Sequence, residues 1–146
     1  MKPIYFLFAG LFILGSCTSQ ANSGETTAQV AESSENGTDK AVKTINSLET
    51  KALLEQEKTI VILDVRTPEE FAGGHLKNAR LLNKNAPEFE SEIKALDKNK
   101  TYLVYCAIGG RSGQAAQMMN ELGFTQVYDA TEGFNALKAA GLKVEN

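Results

Sequence analysis

The chain has 146 residues, a formal net charge of −3, 42% hydrophobic residues, one His and two Cys. That length suits one ordinary domain, and the near-average composition excludes collagen-like, fully disordered and disulfide-dense classes. The slight acidity leaves no basic footprint for nucleic acid, and two cysteines exclude a four-cysteine zinc site and allow at most one disulfide.

Residues 1–16 read as a secretory signal peptide. Lys2 supplies a basic start, and Ile4 to Leu14 is an apolar run too short to span a bilayer. The run ends Leu14-Gly15-Ser16-Cys17. This resembles the lipobox of bacterial lipoproteins: an apolar residue, two small residues and then cysteine. The resemblance implies that lipid is attached to the Cys17 sulfur, that the signal is cut just before it, and that the new amine is acylated. Several acyl chains anchor stably where one binds only marginally. The implied place is the bacterial cell envelope, lipid-anchored to the membrane and facing the periplasm. Residues 17–40 then form the lipidated cysteine and a flexible acidic tether. Thr18 to Asp39 holds no aromatic residue, and Val30 is its only large aliphatic, so it buries too little apolar surface to offset chain entropy. Glu25, Glu32, Glu35 and Asp39 make it acidic. As a random coil its r.m.s. reach is roughly 25 Å.

Residues 41–146 carry the globular domain, and strands alternate with helices along it. Val42 to Ile45 reads as a short strand. Ser47 can cap a helix through Leu48, Leu53 and Leu54. Thr59 to Val65 is a continuous β-branched run, the mark of a strand buried on both faces. Pro68-Glu69-Glu70-Phe71 suits a first helical turn, and Gly73-Gly74 ends it. Ala79 to Leu82 is a short strand, and Pro87 to Leu96 an amphipathic helix carrying Phe89, Ile93 and Leu96. Thr101 to Cys106 is a second buried strand. Ser112 to Leu122 is a helix stopped by Gly123, Gln126 to Tyr128 a strand, and Gly133 to Ala140 a last helix. The pattern argues for an α/β domain with a mainly parallel, five-stranded sheet flanked by helices.

The chemistry collects after the second buried strand, in Cys106-Ala107-Ile108-Gly109-Gly110-Arg111-Ser112. In open α/β sheets, ligands bind outside the carboxyl ends of the strands. Two glycines let the backbone N–H groups converge on one point, and the following helix N-terminus adds positive partial charge. A thiolate at Cys106 is stabilised there, so the loop reads as a nucleophilic sulfur in an anion-binding cradle.

At this point the sequence resembles the rhodanese family of sulfurtransferase domains, from Val42 to about Leu142. Asp64-Val65-Arg66, followed by Glu69-Glu70-Phe71, looks like the family's first signature. Gly74-His75-Leu76-Lys77-Asn78-Ala79 is similar to its Gly-His-Ile-x-x-Ala segment. The Cys106 to Ser112 stretch resembles its active-site loop, and Glu132-Gly133-Phe134-Asn135-Ala136 a stretch near its end. The resemblance implies that Cys106 is the catalytic nucleophile and takes sulfane sulfur from thiosulfate, a polysulfide or a persulfide. It then passes that sulfur from its own persulfide to a thiol or cyanide. Ala107, Ile108, Gly109, Gly110, Arg111 and Ser112 would bind the sulfur anion through backbone N–H groups. Arg111 either adds charge to the loop or pairs with an acid such as Glu70. Asp64 and Arg66 are expected to support the loop, with direct substrate contact as the weaker alternative. His75 is expected to serve structure rather than act as a base. No cofactor and no metal is implied.

Four residues separate Cys106 from Arg111. Related phosphatases and arsenate reductases have one more, which makes room for a tetrahedral oxyanion, so those activities are disfavoured. A domain that captures sulfide species or a protein partner without turnover is the alternative. Many thiosulfate-using relatives carry a basic residue after the cysteine, where this chain has Ala107-Ile108. A less charged donor is therefore favoured. With Cys17 taken by lipid, Cys106 is expected to be the sole free thiol.

Overall fold

The computed structural model describes residues 41–146. The signal peptide, Cys17 and the tether lie outside the described residues. Seven strands and five helices follow in the order β1 (Val42–Ile45), α1 (Ser47–Gln56), β2 (Val61–Asp64), α2 (Pro68–Ala72), β3 (His75–Leu76), β4 (Arg80–Leu81), α3 (Phe89–Lys94), β5 (Thr101–Tyr105), α4 (Gly110–Glu121), β6 (Gln126–Ala130), α5 (Gly133–Ala139) and β7 (Val144–Glu145). Five strands form one parallel sheet in the order β1-β6-β5-β2-β4. The two buried runs expected from the sequence thus become neighbouring strands inside the sheet, β2 and β5, covered on both faces.

Side chains alternate across β5. Tyr102, Val104 and Cys106 join the core on one face, with Phe89 and Ile93 of α3 and Ala115, Ala116 and Met119 of α4. Leu103 and Tyr105 join the other, with Phe134 and Leu137 of α5 and the partly buried Leu54 of α1. Full burial of a Leu, Val or Ile contributes about 1.5–3 kcal/mol. Leu63, Leu103 and Val104 at the centre reach that condition.

Local boundaries differ from the sequence expectation in instructive ways. Asn46, not Ser47, caps α1: its side chain accepts from the N–H groups of Leu48 and Glu49, and Glu49 returns a bond to Asn46 N–H. Thr67 and Glu70 make the same reciprocal box on α2. Helix α4 starts at Gly110 rather than Ser112, which puts Arg111 and Ser112 inside its first turn. The antiparallel pair β3–β7 was not anticipated. Two residues per strand carry no period to read, and the pairing joins segments far apart in the chain.

Candidate active site

Cys106 directly follows β5, at the carboxyl end of a central strand. Loop residues Ala107 and Ile108 lead to Gly109, which caps α4 in the left-handed region at φ +89°. That turn aims the Gly109 N–H back at Cys106 Sγ, 3.1 Å away. A side chain at 109 is barred twice over, by the dihedral and because its Cβ would stand 2.1 Å from the Thr131 carbonyl oxygen.

A second loop locks the first from behind. Gly133 has φ +78°, and a Cβ on it would fall 2.0 Å from the Ala107 carbonyl oxygen. Phe134 N–H donates to the Cys106 carbonyl at 2.8 Å. The two backbones are in such close contact that the geometry of the cradle is set by the β6–α5 turn as much as by its own residues. This accounts for the Glu132-Gly133-Phe134 motif.

Cys106 is 1% exposed, and burial by itself raises a thiol's pKa. The backbone N–H groups of Ser112, Ile108 and Arg111, with the Ser112 hydroxyl, outweigh that effect and bring the thiol below its ordinary value. Gly109 N–H is the donor at hydrogen-bond distance from the sulfur. Ser112 is fully buried, and its hydroxyl donates to the Gly109 carbonyl at 3.0 Å.

Arg111 displays the pairing with Glu70, and the Cys106 sulfur also acts on its guanidinium. Its Nη1 and Nη2 donate to Glu70 Oε2 and Oε1 at 2.7 and 2.8 Å. This fork holds Glu70 down to about 2 and raises the Arg111 guanidinium further. Glu70 is anchored by its bond to Thr67 N–H, so Arg111 ties α4 to the start of α2. Ile108 stands in the loop between Cys106 and Arg111 and is 85% exposed.

Asp64 and Arg66 form a buried pair with contacts between 2.6 and 3.0 Å. Arg66 Nη2 also donates to the Gly74 carbonyl at 2.7 Å, and the guanidinium lies 4.1 Å from the Phe134 ring centroid. Among the described residues no hydrogen bond or ion pair joins Asp64 or Arg66 to Cys106. They reach the cradle indirectly, because the Phe134 they hold is the residue whose N–H fixes the Cys106 carbonyl. His75 stacks on Phe71 with centroids 3.6 Å apart, and its Nδ1 meets the Phe71 carbonyl at 3.1 Å. These contacts fasten α2 to β3.

Sequence reasoning quoted Glu132 without its partner and missed Asp129. Glu132 accepts from the Ser47 N–H and hydroxyl, tying the locking turn to α1. Asp129, in β6, is 3% exposed and stands against the first turn of α4, where a Cβ on Gly113 would lie 3.4 Å from its Oδ2. An acid in a buried strand is the signal that could have flagged it.

Comparison with known proteins agrees with this architecture. The sequence matches the family described as Rhodanese-like domain over residues 47–140. It is 36% identical over 97 residues to a protein named thiosulfate sulfurtransferase GlpE from Coxiella burnetii, an alignment covering 66% of this chain and 88% of that protein. Thiosulfate sulfurtransferase PspE of Escherichia coli is 39% identical over 70 residues, covering 47% of this chain and 65% of PspE. Among solved structures, a rhodanese-like domain protein from Staphylococcus aureus superposes with a TM-score of 0.61 at 30% identity, covering 71% of this chain and 99% of that one. The rhodanese-like domain of Alr3790 from Anabaena gives 0.63 at 27% identity, covering 70% and 78%.

Proposed function

This chain belongs to the rhodanese-like domain family, and we propose that it is a sulfurtransferase working through a persulfide on Cys106. The observation that carries the reading is the Gly109 N–H held 3.1 Å from a sulfur whose anionic form its surroundings favour. The Cys106 thiolate attacks the outer, sulfane sulfur of a donor. A new S–S bond forms to Cys106, and the donor's own S–S bond breaks, its electron pair leaving with the departing anion. The cradle then holds the terminal sulfur anion of the persulfide, much as an oxyanion hole holds oxygen. A thiol or cyanide takes that terminal sulfur, and the Cys106 thiolate leaves as it arrived.

Arg111 is forked to Glu70, and the residues that follow the cysteine are Ala107 and an exposed Ile108. These features support a polysulfide or organic persulfide as donor over the thiosulfate dianion, although the relatives are named for thiosulfate. Residues 1–17 support the further proposal that the protein is lipid-anchored through Cys17 in the bacterial envelope, facing the periplasm.

The test uses the full chain carrying Cys17→Ser, which leaves Cys106 as the sole thiol. Incubation with thiosulfate, polysulfide or an organic persulfide should add the mass of one sulfur, and Cys106→Ser should abolish the gain. No gain with any donor would overturn the persulfide mechanism. A gain without repeated transfer to cyanide or a thiol would overturn the transferase half and leave a capture module.

A further inference from the structure

Among the described residues, two large apolar side chains stand exposed, Ile108 at 85% and Leu48 at 72%. Single apolar residues scattered over a surface need no explanation, but these two share a place. A Cβ on Gly133 would fall 2.6 Å from the Ile108 nitrogen. The neighbouring Glu132 accepts from the Ser47 N–H at 2.8 Å, one residue before Leu48. The turn after β6 therefore touches the segment after β5 and the segment after β1. Those three strands are parallel neighbours, so all three segments lie at the carboxyl edge of the sheet. Charged groups along that edge already have partners: Glu132 on Ser47, Glu49 on the Asn46 N–H, and Arg111 on Glu70. Cys106 is 1% exposed, with strands on either side of its own and packed side chains on both faces of the sheet. A sulfur carrier reaches it from the carboxyl edge, where Ile108 stands two residues further on.

We propose that Ile108 and Leu48 form an apolar strip that selects sulfur carriers bearing a hydrocarbon substituent. Ile108 meets the carbons next to the reacting sulfur, and Leu48 those further out. This deepens the sulfurtransferase reading and rests on it. An alkanethiolate attacks the terminal sulfur of the Cys106 persulfide. A new S–S bond forms to the alkyl sulfur, and the S–S bond to Cys106 breaks. Its electron pair returns to Cys106 as the thiolate, and an alkyl persulfide departs. The reverse of this step is donation by that same alkyl persulfide, so one strip serves both directions. While the attacking sulfur meets the sulfur held in the cradle, its substituent stays outside, along the edge that carries Ile108 and then Leu48. Hydrocarbon taken out of water there as the sulfurs meet lowers the barrier to transfer. A charged substituent meets no free opposite charge among Glu132, Glu49 and Arg111 and gains nothing comparable.

The readout is the second-order rate at which the Cys106 persulfide is discharged, followed by intact mass in the full chain carrying Cys17→Ser. Polysulfide loads the sulfur, excess donor is removed, and ethanethiol, butanethiol or hexanethiol is added. The three carry the same thiol and differ only in hydrocarbon. The rate should rise about twofold per added methylene, less than full burial would give because one side of the chain stays in water. Ile108→Ser should flatten the whole series, and Ile108→Leu should restore it. Leu48→Ser should keep the step from ethanethiol to butanethiol and flatten the step to hexanethiol. Both side chains lie in solvent, so these variants keep the fold. Equal rates for the three thiols overturn the proposal, as does a series left unchanged by Ile108→Ser or by Leu48→Ser. A chain that takes up no sulfur from polysulfide overturns the sulfurtransferase reading and the strip with it, a result distinct from a loaded chain indifferent to chain length.

Discussion

The pair joining Arg111 to Glu70 tests how much the α2–α4 contact contributes to the fold. Glu70→Gln removes the charge but keeps an oxygen that can accept from Thr67 N–H, so the α2 cap survives and the ion pair alone is perturbed. Glu70 is held at about 2 against an ordinary 4.5, chiefly by the hydrogen bonds from Arg111, with burial acting in the opposite sense. At about 1.36 kcal/mol per unit, that shift taken whole corresponds to roughly 3 kcal/mol. The side chains are 33% and 25% exposed, so solvent screens the pair and the expected loss is about 1 kcal/mol. The folded pKa lies below the unfolded one. The stabilisation is therefore complete above about 4.5 and is lost as pH falls toward about 2. Urea unfolding of wild type and Glu70→Gln, followed from neutral pH into acid, should show a gap of about 1 kcal/mol that closes across this window. A gap absent at neutral pH, or one that persists unchanged in acid, would refute the reasoning.

The same variant leaves the Arg111 charge unpaired beside the loop, so the rate with thiosulfate relative to an organic persulfide should rise about threefold or more, measured as persulfide formation by mass. Gly133→Ala forces a side chain into the left-handed region and against the Ala107 carbonyl, and should cost about 2 kcal/mol or more. Gly110→Ala, with nothing within 4 Å of the new atom, should change stability by less than about 0.5 kcal/mol in the same melts. Tyr105→Phe strips the hydroxyl that accepts from buried Leu76 N–H, and chemical denaturation should register a loss of about 1–3 kcal/mol. His75→Gln should leave the mass gain on Cys106 intact, and loss of that gain in a folded variant would contradict its structural placement between Phe71 and Glu145.

Much of the fold was legible because its signals are local. Thr59 to Val65 and Thr101 to Cys106 are apolar on both faces of a strand, and that pattern suits central strands of a covered parallel sheet. Gly73 and Gly74 ended α2 as expected. The cysteine, the two glycines and the following helix lie within a few residues of one another, so the cradle could be read as a single segment. The small β3–β7 sheet could not, because its stability comes from pairing across the chain rather than from a period within it.

What the sequence by itself determined is therefore the layered α/β architecture, the place of Cys106 at a strand's carboxyl end, and the loop able to surround a sulfur anion. The tertiary structure alone decided how the surrounding charges are used. Arg111 meets Glu70 from 41 residues away, and this contact ties the loop's cation to α2. Gly133 locks the cradle from another strand's end, and Asp129 reaches α4 from β6. Each of these depends on which strands become neighbours, and strand order is a property of the packed sheet rather than of any one segment. The charges on a residue are written in the chain, but what they act on is settled only when distant strands come together.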